Sequence, residues 1–295
     1  MKNYIQPSGS SPLFKIVSLI FFMMTALGLL LLLFYLMSNV GVSGTEAGRG
    51  RIASMADDPG MARFFLFLQH FLLFICVPLV YQKAWYSSSE KSLFTWGQPE
   101  VKDFLRFALF LILIFPVIAV TTSWISHLDL PEWLQTMDDE YIKSLHAVMS
   151  TDTLADVIIT LIIAAVMPGI GEELLFRGTL QKELINHGKN PHAAIWLTAI
   201  LFSLLHFQAS GFLAKWLIGM VLGYAYHFTG SLWVPMVLHF LNNAAATIAF
   251  FLYRDGETKT TTYPGFSLDQ LFIFSGSIFL IIIYFNYLAK SYKKE

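Results

Sequence analysis

Long apolar runs alternate with short polar ones along this chain. The stretches near 16–38, 61–82, 104–126, 154–175, 192–208, 211–228, 232–253 and 270–289 are predominantly apolar. Those at 41–60, 83–103, 128–153 and 254–268 are polar and read as the loops between them. About 20 consecutive apolar residues are needed to cross the hydrocarbon of a bilayer as a helix, and a helix satisfies its own backbone polar groups where no water is at hand. The pattern therefore predicts an all-α, polytopic transmembrane helix bundle of about eight spans. Three regions follow from it: N-terminal helices and loops over 1–153, a core over 154–253, and a last loop, helix and basic tail over 254–295. The first run is too long for the apolar part of a secretory signal and is expected to remain as a helix.

Composition strengthens the membrane reading. Hydrophobic residues make up 56% of the chain, charged residues 13%, and mean hydropathy is +0.60, whereas soluble chains carry about a quarter charged residues. The net charge of -1 and the lack of a long basic run argue against a nucleic-acid partner. The single cysteine, Cys76, lies mid-span, which excludes a disulfide framework and a Cys-rich metal site. With the N-terminus inside, 12 of the 19 basic residues fall in interior segments, Lys83, Lys91, Lys182 and Lys189 among them. The positive-inside bias then puts both termini in the cytoplasm, in the plasma (inner) membrane.

Inside this apolar background, the segment Gly169–Gly178 reads G-I-G-E-E-L-L-F-R-G. An ionisable side chain at membrane depth costs roughly 2.5 to 3.5 kcal/mol on insertion scales, so it is kept mainly for function or pairing. Glu173 and Arg177 are spaced i,i+4 on one helix face and can neutralise each other. Glu172 lies about 140° of helix rotation from Arg177 and reads as the reactive carboxylate. Pro168, Gly169 and Gly171 are expected to break the helix just before Glu172 and to expose an N-terminus whose dipole favours an anion.

Two further constellations follow downstream. Phe202 and His206 in L-F-S-L-L-H-F, and His239 and Asn243 in L-H-F-L-N-N, are i,i+4 pairs. Glu172 lies 17 residues before Lys189 and His206 lies 17 after it, so an antiparallel hairpin turning at 188–190 would bring them to one level. With the polar segment 181–190 projecting about 10 Å into the cytoplasm, Glu172, His206, His239 and Asn243 share a layer somewhat over 10 Å below that face. A lone intramembrane His is more often a hydrogen-bonded interior residue than a catalyst, so His70, His127, His146, His187, His192 and His227 receive no role. Pro78 and Pro116 read as kinks tolerated in spanning helices.

The ordered set M-P-G-I-G-E-E-L-L-F-R-G, F-S-L-L-H and L-H-F-L-N-N, over roughly 155–250, resembles the CPBP family of intramembrane proteases. That family, also called Abi, includes CAAX prenyl endopeptidases and bacteriocin-processing or self-immunity proteins. The resemblance implies that Glu172 and His206 activate the attacking water, that His239 and Asn243 stabilise the oxyanion, and that Glu173 with Arg177 holds the site together. The first 150 residues resemble nothing beyond membrane spans.

The residues agree with hydrolysis by water. There is no G-x-S-x-G elbow, no H-E-x-x-H and no His within one helical turn of Cys76 in the sequence, which disfavours covalent nucleophiles and the common zincin arrangement. A carboxylate held out of bulk water can serve as a general base near neutral pH. Two His and a Glu are also a zinc set with an open fourth position, so Glu172, His206 and His239 are the candidate ligands for Zn, and the sequence leaves metal-bound and metal-free water equally open. Expected partners are membrane lipid and a peptide or protein substrate with an apolar anchor, prenylated or a leader peptide. A non-catalytic scaffold or immunity protein and a proton-coupled transporter are the alternatives. Intact motifs count against the first, and the lack of interrupted helices in matching halves counts against the second.

Overall fold

A computed structural model describes residues 11–39, 55, 58–86, 92–150, 153–188, 190–253 and 267–294. The described residues form nine helices: α1 Pro12–Asn39, α2 Pro59–Tyr86, α3 Val101–Ile125, α4 Glu132–Met149, α5 Leu154–Gly188, α6 Pro191–Leu204, α7 Phe212–Thr229, α8 Trp233–Tyr253 and α9 Leu268–Lys294. Helices α1, α2, α3, α5, α8 and α9 are long and apolar enough to cross a membrane, and α6 is a shorter apolar helix. Each of the eight predicted spans contains a helix, and the chain is a multi-pass integral membrane protein. The predicted loops at 41–60 and 254–268 lie almost wholly outside the described residues, as do 87–91 within the loop predicted at 83–103.

Two elements differ from the sequence reading. The segment 128–153 is not a loop: it contains α4, an amphipathic helix. Leu134, Met137, Tyr141, Leu145 and Val148 recur every three or four residues and are the more buried positions, while Gln135, Thr136, Asp139, Glu140, Lys143 and Ser144 are exposed. Six acidic residues in this segment hid that stripe. The second difference is the helix before Glu172, which runs on unbroken. Met167 donates its N–H to the carbonyl of Ile162, five residues back, in a π turn over Ile162–Val166. That turn loosens the backbone where the ring of Pro168 would otherwise collide with the carbonyl of Ala164. Pro78 in α2 is accommodated in the same way, behind a π turn over His70–Cys76 in which Val77 donates to Leu72.

The chain divides into two compact units, each described separately. The first contains 1–94, 142–189 and 239–251. Helix α5 starts with a reciprocal cap: Thr153 Oγ accepts the N–H of Asp156 at 3.2 Å, and Asp156 Oδ2 accepts the N–H of Thr153 at 3.1 Å. Arg63 of α2 binds the end of α4 and the start of α5. It donates to Asp156 at 2.8 Å, to the Val148 carbonyl at 3.1 Å and to the Ser150 carbonyl. At the other end of α5, Glu183 accepts the hydroxyls of Tyr81, at 2.8 Å, and of Tyr86. His187 lies 3.0 Å from the second oxygen of Glu183, and the ammonium of Lys15 in α1 stands 4.4 Å above the Tyr86 ring. Polar groups at both ends of α5 thus fix its depth and rotation against α1 and α2.

The close approach of α5 to its neighbours uses two glycines. A Cβ on Gly171 would stand 2.9 Å from the Cβ of Phe74 in α2, and one on Gly169 would stand 3.1 Å from the backbone nitrogen of Phe240 in α8. These glycines bring helices together, as small residues do in membranes.

The second unit contains 95–141, 190–238 and 252–295. Its core joins Phe107, Phe110, Leu111 and Ile114 of α3, Ile195 of α6, Val221, Leu222, Tyr224 and Ala225 of α7, Val234 and Leu238 of α8, and Leu288 of α9. The strap 95–97 lies against the turn before α8, where Leu232 N–H donates to Thr95 at 3.0 Å and Ser231 Oγ donates to Gly97 at 3.1 Å.

Candidate active site

Glu172 and Glu173 lie at the junction of two backbone geometries. The α-helical stretch Met167–Glu173 passes into a π turn over Leu174–Gln181, and π turns recur at functional sites because they re-aim side chains. Both carboxylates are buried, as are Arg177, His70 and His239.

Arg177 Nη1 donates to Glu173 Oε1 at 2.6 Å, with both side chains fully buried. His239 places Nδ1 2.7 Å from the same oxygen. An oxygen already accepting from a guanidinium takes the second hydrogen from the ring, so Nδ1–H of His239 is the donor. That bond turns Nε2 of His239 toward Glu172, whose Oε2 is 3.8 Å away. The separation exceeds a direct hydrogen bond and is one that a single water spans. Glu173 therefore does more than neutralise Arg177, because it also orients His239. An i,i+4 reading confined to one helix could not reveal that second contact.

Glu172 has another neighbour. Nε2 of His70 lies 3.2 Å from Glu172 Oε1, and Nδ1–H of His70 donates to the carbonyl of Leu66 at 2.9 Å. With Nδ1–H engaged there, the hydrogen bond to Glu172 is carried by one further proton, on the ring or on the carboxyl. The sequence pattern alone gives His70 no role. One local signal did exist: Gln69 and His70 are the polar residues within an otherwise apolar run from Phe64 to Ile75, the setting in which an intramembrane ionisable group points to function.

The remaining predicted residues are placed as follows. Asn243 is one turn beyond His239 on α8, and its Oδ1 accepts from Asn242 Nδ2 at 3.2 Å. His206 belongs to the second unit. The span predicted over 192–208 ends as a helix at Leu204, so His206 stands in the turn just past it. Its Nδ1–H donates to the Phe202 carbonyl at 2.7 Å, which makes Nε2 the acceptor nitrogen of the neutral ring. Phe207 follows with φ 49°, in the left-handed region, where a bulky residue rarely stops a helix without support. The support comes from Ser203 Oγ, which donates to the Phe212 carbonyl at 2.5 Å, and from Asp138, whose carboxylate accepts the Ser210 N–H at 3.1 to 3.2 Å. Among the described residues no three His, Cys, Asp or Glu side chains are grouped to hold a metal ion.

Residues 154–245 match the family model described as Rce1-like, type II CAAX prenyl endopeptidase Rce1-like. The matched stretch begins with α5 and ends within α8, and so covers every residue of the three motifs. An uncharacterised protein of Bacillus subtilis (strain 168), YpbD, is 37% identical over 95 residues, which is 30% of this chain and 41% of that relative. The chain thus matches less than half the length of that relative. No solved structure gives a significant match. His70 lies outside the matched stretch, on α2.

Proposed function

We propose that this chain is an intramembrane endopeptidase that hydrolyses a peptide bond in a membrane-associated substrate with an apolar anchor, such as a prenylated tail or a leader peptide. The observation that carries the reading is Glu172, a buried carboxylate set between two imidazole Nε2 atoms, His70 at 3.2 Å and His239 at 3.8 Å. The family match over 154–245 supplies the reaction class.

Glu172 takes a proton from the attacking water as its oxygen bonds to the substrate carbonyl carbon, and returns that proton to the leaving amine as the C–N bond breaks. Following the resemblance, His206 shares in holding the water, and His239 with Asn243 faces the oxygen on which negative charge develops. Glu173 keeps His239 turned, and Arg177 pairs with Glu173 and fixes its place. No step is routed through zinc. Complete removal of metal by chelation, verified by metal analysis of the purified protein, is expected to leave cleavage intact; loss of cleavage restored by added zinc would assign the water to a metal.

The direct test is cleavage of an internally quenched peptide bearing a farnesylated cysteine near its C-terminus, by detergent-solubilised protein. Proteolysis needs no membrane gradient, whereas a proton-coupled transporter does, and a scaffold would be silent. Mass spectrometry of membrane peptides from cells with the parent chain and with Glu172→Ala then identifies natural substrates, which are expected to accumulate uncut with the variant.

A further inference from the structure

His70 and Glu172 meet across 102 positions of the chain, through side chains that are 6% and 8% exposed. The ring is held at both nitrogens, by the Leu66 carbonyl at 2.9 Å and by Glu172 Oε1 at 3.2 Å. Its backbone opens the π turn His70–Cys76, and the approach that allows the contact depends on Gly171, which stands against Phe74 of that turn. A histidine kept only for packing would be satisfied by the Leu66 carbonyl one helical turn away. Nothing in that role requires the second nitrogen to face a buried carboxylate.

We infer that His70 is a positioning residue for Glu172: it holds Oε1 and so directs Oε2 toward the side of the carboxylate that faces His239. The inference rests on the protease reading of Glu172. It also places part of the working site on α2, outside the stretch matched by the family model, so the 154–245 segment is incomplete without the N-terminal helices.

Full-length chains carrying His70→Phe, His70→Gln, Glu172→Gln and the double change His70→Phe with Glu172→Gln are purified in detergent and assayed on the quenched farnesylated peptide. Phe keeps the ring volume without a polar atom; Gln offers an amide N–H to the carboxylate. His70→Phe is expected to lower kcat about 100-fold, the cost of a displaced catalytic group, with KM within about threefold of the parent. His70→Gln should recover about tenfold of that loss. Equal activity of His70→Phe and the parent overturns the inference, as does a KM effect without a kcat effect. If His70→Phe does not fold, the kcat of His70→Gln against the parent decides, and parental turnover there overturns the inference. A second readout stands apart from activity. The melting shift caused by His70→Phe should differ between the parent and the Glu172→Gln background by more than about 2 °C, as coupled neighbours do. A silent parent with that coupling present overturns the protease reading on this peptide and leaves the His70–Glu172 contact standing. Equal melting shifts in the two backgrounds overturn the contact itself.

Discussion

Glu172, Glu173 and Arg177 sit within six residues of each other and answer differently to substitution. Glu172→Gln keeps the volume, removes the base and lightens the cost of a buried charge, so cleavage should vanish while expression and melting temperature stay near the parent's. Cleavage retained in that variant would take the role of base away from Glu172. Arg177→Ala leaves Glu173 as an uncompensated carboxylate in a low dielectric, a loss of about 3 to 5 kcal/mol for buried pairs. Folded yield should fall together with activity, since Glu173 Oε1 also accepts from His239 at 2.7 Å. An inert Arg177→Ala chain that is as heat-stable as the parent would instead make Arg177 a direct participant in catalysis or substrate binding. The Glu173–Arg177 spacing was legible because an i,i+4 ion pair on one helix is a local pattern. The Glu173–His239 and Glu172–His70 contacts were not, since they join residues 66 and 102 positions apart and leave no periodicity behind.

At the scale of the helix, the glycines of G-I-G act as contact points and not as the breakers their sequence suggests. Gly171→Val should therefore cost more than its helix propensity, because β-branched atoms would enter the space of Phe74, whose Cβ already lies 2.9 Å from the position of an added Cβ. Overpacking of this kind destabilises by about 1 to 3 kcal/mol. The expected readout is a lowered melting temperature and a displaced α2, with loss of cleavage even though no motif residue is altered. A Gly171→Val chain with parental stability and turnover would show that the approach of α2 is not required. Pro and Gly in an apolar run signal a break or a close packing equally well, and tertiary contact decides between them. The amphipathic stripe of α4 was present in Leu134, Met137, Tyr141, Leu145 and Val148, but the acidic residues between them dominated a reading based on polarity alone.

For the whole molecule, the helical spans were legible because bilayer thickness imposes a length that composition reveals. Orientation is argued from charge alone, 12 basic residues on the inner side among 19. Single cysteines placed at Lys189 and at Asp139, in a Cys76→Ser background, should label from opposite sides with an impermeant thiol reagent. In intact cells Asp139→Cys should react and Lys189→Cys should not. The reverse pattern turns the protein over, puts the Glu172 layer nearer the exterior and removes cytoplasmic prenylated proteins as substrates.

The π turn over Ile162–Val166 has a consequence for how this segment can change in length. A π turn closes its ring over five residues where an α turn uses four, so it holds one residue that a regular helix would not need. Deleting one residue within that turn would restore a plain α-helix and leave the face carrying Glu172 and Glu173 close to its present direction, because the turn is what absorbs the extra residue. The same deletion in the regular stretch Leu154–Leu161 has no such buffer and would rotate everything beyond it by about 100°, swinging Glu172 and Glu173 away from His70 and His239 while leaving every motif letter in place. Where a single-residue gap falls between Thr153 and Glu172 therefore decides whether a relative with intact motifs still has its site.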